Sequence, residues 1–408
     1  MLKNAEGVFR QPAESFFARL YAVGVGGERL LAMEGMRGVA VLLVFCVHYH
    51  ALFQRYLADG SVAMGVSRYV GTVGHTGVDL FFVLSGFLIY GATIRRAAPF
   101  ARFMRRRVQR IYPTFLAVLS LYLLLTVLFP AQSKIPRGVV PAAGYVVANV
   151  LLLPGLFAIE PIITVAWSLS YEFFYYIALP LLVTALGMRA WRRGSRVVFF
   201  LVLFAIVVAS PPWIGGARSR MGMFIPGILL YEAIESGTAA RWVGRRGERI
   251  AIVLAVAGLA SASMLRPTSG VRLDLDLGFL HGAGLRLLLL GPSFFLLTLY
   301  AFAHAGALRR AMEWRPLRYL GNMSYSYYLL HGVTLTAVGL VAMRLVPPAP
   351  GRTVVFLALL PLALVATYAS STGLFLLVEK PYSLTPAPSR VPRPVPVPAA
   401  VAAPIEAD

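Results

Sequence analysis

The sequence predicts an all-α polytopic membrane protein with about ten transmembrane helices and both termini in the cytoplasm. Hydrophobic residues make up 58% of the 408 residues and charged residues only 13%, against about 25% charged residues in a soluble domain. The mean hydropathy is +0.73. Such a chain would expose large apolar patches in water, which excludes a soluble enzyme, a disordered protein and a coiled coil.

Ten segments are long and apolar enough to cross a bilayer, which takes about 17 or more mostly apolar residues. They lie at 37–56, 76–95, 111–130, 165–187, 196–212, 220–236, 249–265, 285–305, 319–346 and 353–378. A further apolar stretch, 139–157, contains two prolines, so we expect a surface or re-entrant helix there. The domain organisation that follows is a cytoplasmic lead-in at 1–33, a membrane domain at 34–382 and a disordered Pro/Ala-rich tail at 383–408.

The basic residues support this count and give its orientation. With the N-terminus in the cytoplasm, 27 of the 38 Lys and Arg fall on the cytoplasmic side and 11 outside, and an excess of Lys and Arg marks cytoplasmic loops. The net charge of +21 therefore does not indicate nucleic-acid binding, because it sits in short clusters between apolar stretches. Cys46 is the single cysteine, which excludes an intrachain disulfide and a cysteine-based metal site. We predict no metal.

Charged side chains within predicted spans are functional candidates, because each costs about 2.5–3.5 kcal/mol at the bilayer centre. Arg37 and His48 lie eleven residues apart, which brings them to one helical face, about 16 Å apart along the axis. Arg37 then lies at the cytoplasmic rim and His48 near mid-membrane. The structural alternatives are a positive-inside anchor and a packed histidine. His50 lies on another face, so the two histidines are unsuited to holding one metal. The other candidates are Asp79, Glu172, Glu232, His331 and Glu379.

Two carboxylates enter the bilayer from the extracytoplasmic side in this topology. They are Asp79 and Glu172. Two carboxylates and a histidine suffice for general acid–base catalysis, so we predict that His48, Asp79 and Glu172 are catalytic. Hydrogen bonding to a neighbouring helix is the structural alternative for each carboxylate. Ser85-Gly86 is predicted to be a close helix-packing point rather than a nucleophile, because no Gly-x-Ser-x-Gly elbow surrounds it.

An arginine cluster precedes the third span. Seven arginines between residues 95 and 110 exceed what orientation requires. Arg107 and Arg110 lie three residues apart and share a helical face. Because guanidinium groups bind phosphates bidentately, we predict that a polyphosphate head group binds here, at the cytoplasmic surface. Contact with anionic lipids is the alternative.

Six motifs follow one another along residues 30–382. They are Glu34-Gly35-Met36-Arg37 with His48, Gly77-Val78-Asp79 to Phe87, Arg107-x-x-Arg110 before Ile111-Tyr112-Pro113, Trp167-Ser168-Leu169-Ser170-Tyr171-Glu172, Ser324-Tyr325-Ser326-Tyr327-Tyr328 to His331, and Glu379-Lys380-Pro381. In this order and spacing they resemble acyltransferase family 3, the integral-membrane O-acyltransferases that modify bacterial surface polysaccharides. Some relatives carry an additional esterase-like domain, which we do not expect here.

The resemblance implies transfer of an acyl group, most often acetyl, from cytoplasmic acyl-CoA to a hydroxyl of an extracytoplasmic or lipid-linked glycan at the plasma (inner) membrane. His48 would take the hydroxyl proton, and Asp79 or Glu172 would orient its ring or bind sugar hydroxyls. An acyl-histidine relay is the alternative. The implied partners are acyl-CoA, the acceptor and membrane lipids, without nucleic acid or metal. The substrate-binding candidates are Arg37, Arg107, Arg110, Trp167, Tyr328 and His331.

Other readings stay open at the level of sequence. The acceptor could instead be a macrolide, a lipid, peptidoglycan or another small hydroxylated molecule, and the donor could be succinyl-CoA. A proton-coupled transporter or flippase also places histidine and carboxylates in the bilayer. That class of protein predicts inverted repeats with helices broken near the midplane, and the sequence contains no clear halves.

Overall fold

The computed structural model describes residues 20–21, 28–95, 99–210, 216–237, 243–264 and 282–384. Within these ranges the chain forms helices and loops without a β-sheet, which confirms the predicted all-α class. The helices are α1 Glu28–Phe53, α2 Val62–Gly74, α3 Thr76–Ile94, α4 Phe100–Leu128, α5 Val139–Val150, α6 Trp167–Ala185, α7 Arg193–Ala209, α8 Phe224–Glu235, α9 Arg245–Met264, α10 Gly282–Ala303, α11 Ala307–Met312, α12 Arg315–Asn322, α13 Ser324–Leu345 and α14 Thr353–Leu374.

Shorter helical pieces connect these elements. A π-helical segment, Phe375–Leu384, continues α14. A single α-helical turn, Gly216–Ser219, leads into the 3-10 turn Arg220–Met223 before α8. The other 3-10 turns are Gln54–Tyr56, Pro130–Gln132, Thr164–Ala166 and Met188–Ala190.

Seven apolar segments of the described chain are long enough to cross a bilayer, so the protein is a multi-pass membrane protein. They are Leu31–Tyr56, Val62–Ile94, Phe100–Leu128, Thr164–Ala185, Gly282–Ala303, Ser324–Leu345 and Thr353–Leu384. The other three predicted spans form α7, α8 and α9. Of these, α7 has 17 residues and α8 has 12, and α9 begins with several charged residues. The count of ten and the cytoplasmic position of both termini stay predictions.

Helix α2 has no counterpart among the predicted spans. Its N-terminus is capped by Ser61, whose hydroxyl oxygen accepts a hydrogen bond from the Met64 amide at 3.2 Å. Glycine, serine and arginine interrupt the apolar pattern of this stretch, which is why the sequence does not predict a span here. Only His75 separates α2 from α3, and the two together form one apolar segment of 33 residues.

Two further segments differ in detail from the prediction. The predicted span 319–346 is divided at Met323 into α12 and α13, and an Arg318–Glu34 ion pair at 2.8 Å fastens α12 to α1. The apolar stretch 139–157, predicted as a surface or re-entrant helix, contains α5, which at 12 residues is too short to span. Most of the predicted lead-in and tail lies outside the described residues.

Helix α1 lies at the centre of the helix packing, where it contacts α2, α3, α12 and α13. Helices α3 and α8 cross at a contact made by two glycines. A Cβ on Gly86 would lie 2.1 Å from the Phe224 carbonyl oxygen, and one on Gly227 would lie 1.9 Å from that of Val83. Only glycine permits this approach, so Gly86 is a helix-packing position. A cleft lies between helices α1, α3, α4, α6 and α13.

Candidate active site

Helices α1 and α13 meet through two pairs of polar side chains. The Arg37 Nε donates to Ser324 Oγ at 3.1 Å. Eleven residues further along α1, the Nδ1 of His48 lies 3.2 Å from the Nε2 of His331. Ser324 and His331 are seven residues, about two turns, apart on α13. Arg37 and His48 therefore share the α13-facing side of α1, as their spacing predicts.

A cleft with about 930 Å³ of open space lies between α1, α3, α4, α6 and α13. It brings together five of the predicted site residues, because Arg37, Arg107, Arg110, Glu172 and Tyr328 all line it. On α3 the lining extends from Val78 to Ile89, which is about 16 Å of helix. The other lining residues are Phe81, Phe82, Leu84, Ser85, Leu88, Ile111, Ser168, Leu169, Tyr176, Ser324 and Tyr325.

The three arginines cluster at one end of the cleft, and they differ in how their charge is balanced. The Arg110 guanidinium donates to Glu379 Oε1 at 2.7 Å. The Arg107 guanidinium lies 5.0 Å from the ring centres of both Phe103 and Tyr176, in cation–π contact. Within the described ranges Arg107 has no hydrogen-bond or ion-pair partner, so its five N–H donors are available to a ligand.

Glu172 lies in the same cleft as the arginines. Its Oε1 accepts hydrogen bonds from the Tyr176 hydroxyl at 2.5 Å and from the Ser85 hydroxyl at 3.1 Å. Tyr176 contacts both Glu172 and Arg107. The sequence predicted the arginines and this carboxylate on opposite sides of the bilayer, whereas the structure joins them through one tyrosine.

Asp79 is held in a separate ion-paired cluster and is only 1% exposed. Arg220 Nε donates to its Oδ1 at 2.8 Å, and Arg286 Nη2 donates to its Oδ2 at 3.3 Å. The Arg220 guanidinium also lies 5.0 Å from the ring centre of Trp167. Asp79 thus contacts two arginines, of which Arg220 lies against a tryptophan, and within the described residues it has no hydrogen bond to His48.

Tyr328 lines the cleft and also contacts the histidine pair through His331. Its hydroxyl donates to the Val165 carbonyl at 3.1 Å and lies 2.8 Å from Ser168 Oγ. On the other side of the same residue, its carbonyl oxygen accepts a hydrogen bond from His331 Nδ1 at 2.8 Å. His331 is fully buried, whereas His48 keeps partial exposure. Tyr328 therefore links the cleft lining to the histidine pair.

Several residues of the site were not among the predicted substrate contacts. Arg220 and Arg286 were counted with the extracytoplasmic loop charges, and the sequence alone does not pair them with Asp79. Ser85 was assigned to packing, yet its hydroxyl reaches Glu172. His50 contacts helix α2 and not the cleft, because its Nδ1 lies 2.8 Å from Ser67 Oγ. In the part of the chain that the structure describes, no three His, Cys, Asp or Glu come together to hold a metal ion.

Comparison with known protein families identifies the class of this fold and site. The family model described as "Acyltransferase domain", that of acyltransferase family 3, matches residues 30–372. Acyltransferase MdmB of Streptomyces mycarofaciens is 27% identical over 329 residues, which cover 74% of this chain and 78% of that protein. No solved structure matches the chain.

O-acetyltransferase OatA of Staphylococcus aureus is also similar. It is 24% identical over 326 residues, which cover 74% of this chain and 50% of that protein. The matched part of this chain therefore spans half the length of that relative.

Proposed function

The chain belongs to acyltransferase family 3 and is a membrane O-acyltransferase, and from this premise we propose that its donor is cytoplasmic acyl-CoA, with acetyl as the transferred group. The acceptor in this proposal is a hydroxyl of an extracytoplasmic or lipid-linked glycan, and the membrane is the plasma membrane. An acetyl donor is supported by the name of the staphylococcal relative, an O-acetyltransferase.

One observation carries the proposal: Arg37 of the arginine cluster and His48 of the histidine pair lie on the same face of α1. Arg37 contacts Ser324 at the arginine end of the cleft, and His48 contacts His331 further along the same two helices. Eleven residues of helix separate Arg37 from His48 by about 16 Å. An extended pantetheine arm is of similar length, by order of magnitude. The phosphates of CoA can therefore remain at the arginines while the thioester extends towards His48.

The arginine end suits a polyphosphate. Arg37 is bonded to a neutral hydroxyl, and Arg107 is held between two aromatic rings. Of the three guanidiniums only that of Arg110 is ion-paired to a carboxylate within the described ranges. A guanidinium fork without a carboxylate partner binds phosphate oxygens bidentately. We assign Arg37 and Arg107 to the donor on these grounds, and Arg110 because it lines the same cleft beside them.

In the proposed reaction His48 is the general base. The lone pair of a neutral imidazole can accept a proton. The acceptor hydroxyl transfers its proton to His48 while its oxygen forms a bond to the thioester carbonyl carbon. The carbon–sulfur bond then breaks, and the thiolate of CoA takes the proton from His48. The products are an O-acyl ester and free CoA.

The remaining candidates are assigned to the acceptor side. Tyr328 lines the cleft, and Trp167 immediately precedes the lining residue Ser168 and is partly exposed, so its indole ring offers a stacking surface for a sugar. Asp79 fixes Arg220 beneath that ring through a 2.8 Å ion pair. Glu172 contacts Tyr176 and Ser85 between the two ends, and we assign it to hydrogen bonding with the reacting groups.

The proposal is tested by comparing a strain that lacks this gene with the same strain complemented by the gene. Surface glycans, lipids and small metabolites from both strains are profiled by mass spectrometry. We expect an acetyl increment on one class of glycan that disappears in the deletion strain and returns on complementation. An increment lost from a macrolide or a lipid instead would reassign the acceptor, and loss of a succinyl increment would reassign the donor.

A further inference from the structure

We infer that His331 is a positioning residue: it holds the ring of His48 so that the Nε2 of His48 is the atom that accepts the proton. The inference rests on the proposed function, in which His48 is the base. It assigns to a second histidine the role that a carboxylate plays in a Ser-His-Asp triad. It also changes the predicted role of His331, which the sequence suggested as a substrate-binding residue.

The hydrogen bonds of His331 fix which of its ring nitrogens carries the proton. Its Nδ1 lies 2.8 Å from the Tyr328 carbonyl oxygen and 3.1 Å from that of Tyr327. A carbonyl oxygen only accepts hydrogen bonds, so Nδ1 must be the protonated nitrogen. In the neutral ring the Nε2 of His331 is then a lone-pair acceptor, and this nitrogen is the one that faces His48.

The same reasoning determines the tautomer of His48. Its Nδ1 lies 3.2 Å from the Nε2 of His331 and 3.0 Å from the Val44 carbonyl oxygen. Both neighbours are acceptors, so His48 Nδ1 must carry a proton. The Nε2 of neutral His48 consequently has a free lone pair. This is the tautomer that a general base requires.

The His48 and His331 rings differ in solvent exposure, and their roles differ accordingly. His331 is 0% exposed and cannot meet a substrate, whereas His48 remains partly exposed. The rings meet edge to face, with centres 4.7 Å apart and planes at 81°. The Nδ1–H of His48 has two acceptors, the Val44 carbonyl oxygen and the His331 Nε2. Two acceptors restrain rotation of the His48 ring more than one does, and they thereby fix the direction in which its Nε2 points.

The two histidines also stabilise the positive charge that forms on His48 during the reaction. When His48 Nε2 takes the hydroxyl proton, the Nδ1–H of the imidazolium becomes a stronger donor to the His331 Nε2. The Nδ1–H of His331 remains bonded to two helix carbonyls. The charge on His48 is therefore stabilised by one carbonyl oxygen and by the His331 ring. The His48 ring becomes neutral again when it gives its proton to the thiolate of CoA. The predicted carboxylates, Asp79 and Glu172, are bonded elsewhere.

The test compares two substitutions of similar length, His331→Gln and His331→Met. The amide oxygen of glutamine can accept the hydrogen bond of His48 Nδ1, whereas the methionine side chain offers only a weak acceptor. We measure kcat for acetyl transfer and the affinity for acetyl-CoA in detergent, with His50→Gln as the control histidine on α1. General base catalysis contributes about 10²–10⁴-fold. We expect His331→Met to lower kcat by about 100-fold, and His331→Gln to retain most of kcat.

The acetyl-CoA affinity should be unchanged in both variants. Equal losses of kcat in His331→Gln and His331→Met, an unchanged kcat in His331→Met, or a change in acetyl-CoA affinity alone would each overturn the inference. Full activity of a folded His48→Ala protein would instead remove the proposed base. An inactive His48→Ala protein together with a normal His331→Met protein would remove only the role of His331.

A measurement on the unsubstituted protein covers the case in which these variants do not fold. Nitrogen NMR of histidine-labelled protein distinguishes the two neutral tautomers, and the signal that disappears in His48→Gln belongs to His48. We expect a protonated Nδ1 and an unprotonated Nε2. A protonated Nε2 on neutral His48 would overturn the inference.

Discussion

Arg110 and Glu379 form an ion pair at 2.7 Å that joins α4 to the π-helical segment at the end of the described chain. Glu379 is 0% exposed, and its second oxygen accepts hydrogen bonds from the amide and the hydroxyl of Ser326. One carboxylate thus fixes both an arginine of the cleft and the first turn of α13. Because Ser324 and Tyr325 of that turn also line the cleft, the shape of the donor site depends on a residue that lies far away in sequence.

We predict that Glu379→Gln and Arg110→Gln each lower the free energy of unfolding, because either change leaves a buried charge without its partner. Breaking a buried pair costs about 3–5 kcal/mol. The double variant should recover part of the loss, with a coupling energy of about 0.5–3 kcal/mol. Denaturation in detergent of all four proteins measures this. Strictly additive losses would mean that the two side chains do not interact.

Arg107→Ala should weaken acetyl-CoA binding by about tenfold or more, because a charge-assisted hydrogen bond contributes about 1.5–3 kcal/mol. The matched control is Arg106→Ala, which removes an equal charge from the same helix at an exposed position outside the cleft lining. Titration of the purified proteins with acetyl-CoA compares them. If both variants weaken binding equally, the effect comes from net charge alone and Arg107 has no specific contact with the donor.

Asp79→Asn should destabilise the protein, because the carboxylate balances the buried Arg220 and the partly buried Arg286. We expect a loss of about 3–5 kcal/mol and a lower thermal midpoint. The control is Glu160→Gln, since the Glu160–Lys134 pair is exposed and such pairs contribute about 0–1 kcal/mol. An Asp79→Asn protein with the stability of the original but without activity would show that Asp79 takes part in the chemistry itself.

The proposed cytoplasmic donor requires the arginine end of the cleft to face the cytoplasm. In a Cys46→Ser background, single cysteines are introduced at Arg245, which is exposed at the start of α9, and at Arg137, which is exposed in the loop after α4. An impermeant thiol reagent added to intact cells should label position 137 and should reach position 245 only after permeabilisation. Labelling of position 245 from outside would invert the topology and exclude a cytoplasmic donor at these arginines.

The sequence predicted the helical class, the positions of most helices and the shared face of Arg37 and His48. These depend on local quantities: the length of apolar runs, the distribution of charge and the angle between residues on one helix. It also singled out Arg107 and Arg110 correctly as neighbours on one face, because a separation of three residues fixes that relationship. Each of these inferences needs only one helix at a time.

Contacts between helices could not be predicted in the same way. The pairing of Asp79 with Arg220 and Arg286 joins residues more than a hundred positions apart, and nothing in the local pattern distinguishes those arginines from loop charges. The sequence also missed that Tyr176 joins Glu172 to Arg107. The side from which a helix enters the bilayer does not determine how deep one of its side chains lies. The contact between His48 and His331 depends on the relative register of α1 and α13, which sequence periodicity does not specify.

The central claim is that His48 accepts the proton of the acceptor hydroxyl, and transfer of radiolabelled acetyl from acetyl-CoA by the purified protein tests it most directly. His48→Ala is compared with His50→Ala, a histidine on the same helix that is bonded to Ser67, after both are shown to be folded and to bind acetyl-CoA. The account predicts that His48→Ala lowers the transfer rate by about 100-fold or more while His50→Ala retains it. A folded His48→Ala protein that binds acetyl-CoA and transfers acetyl at the original rate would contradict the account.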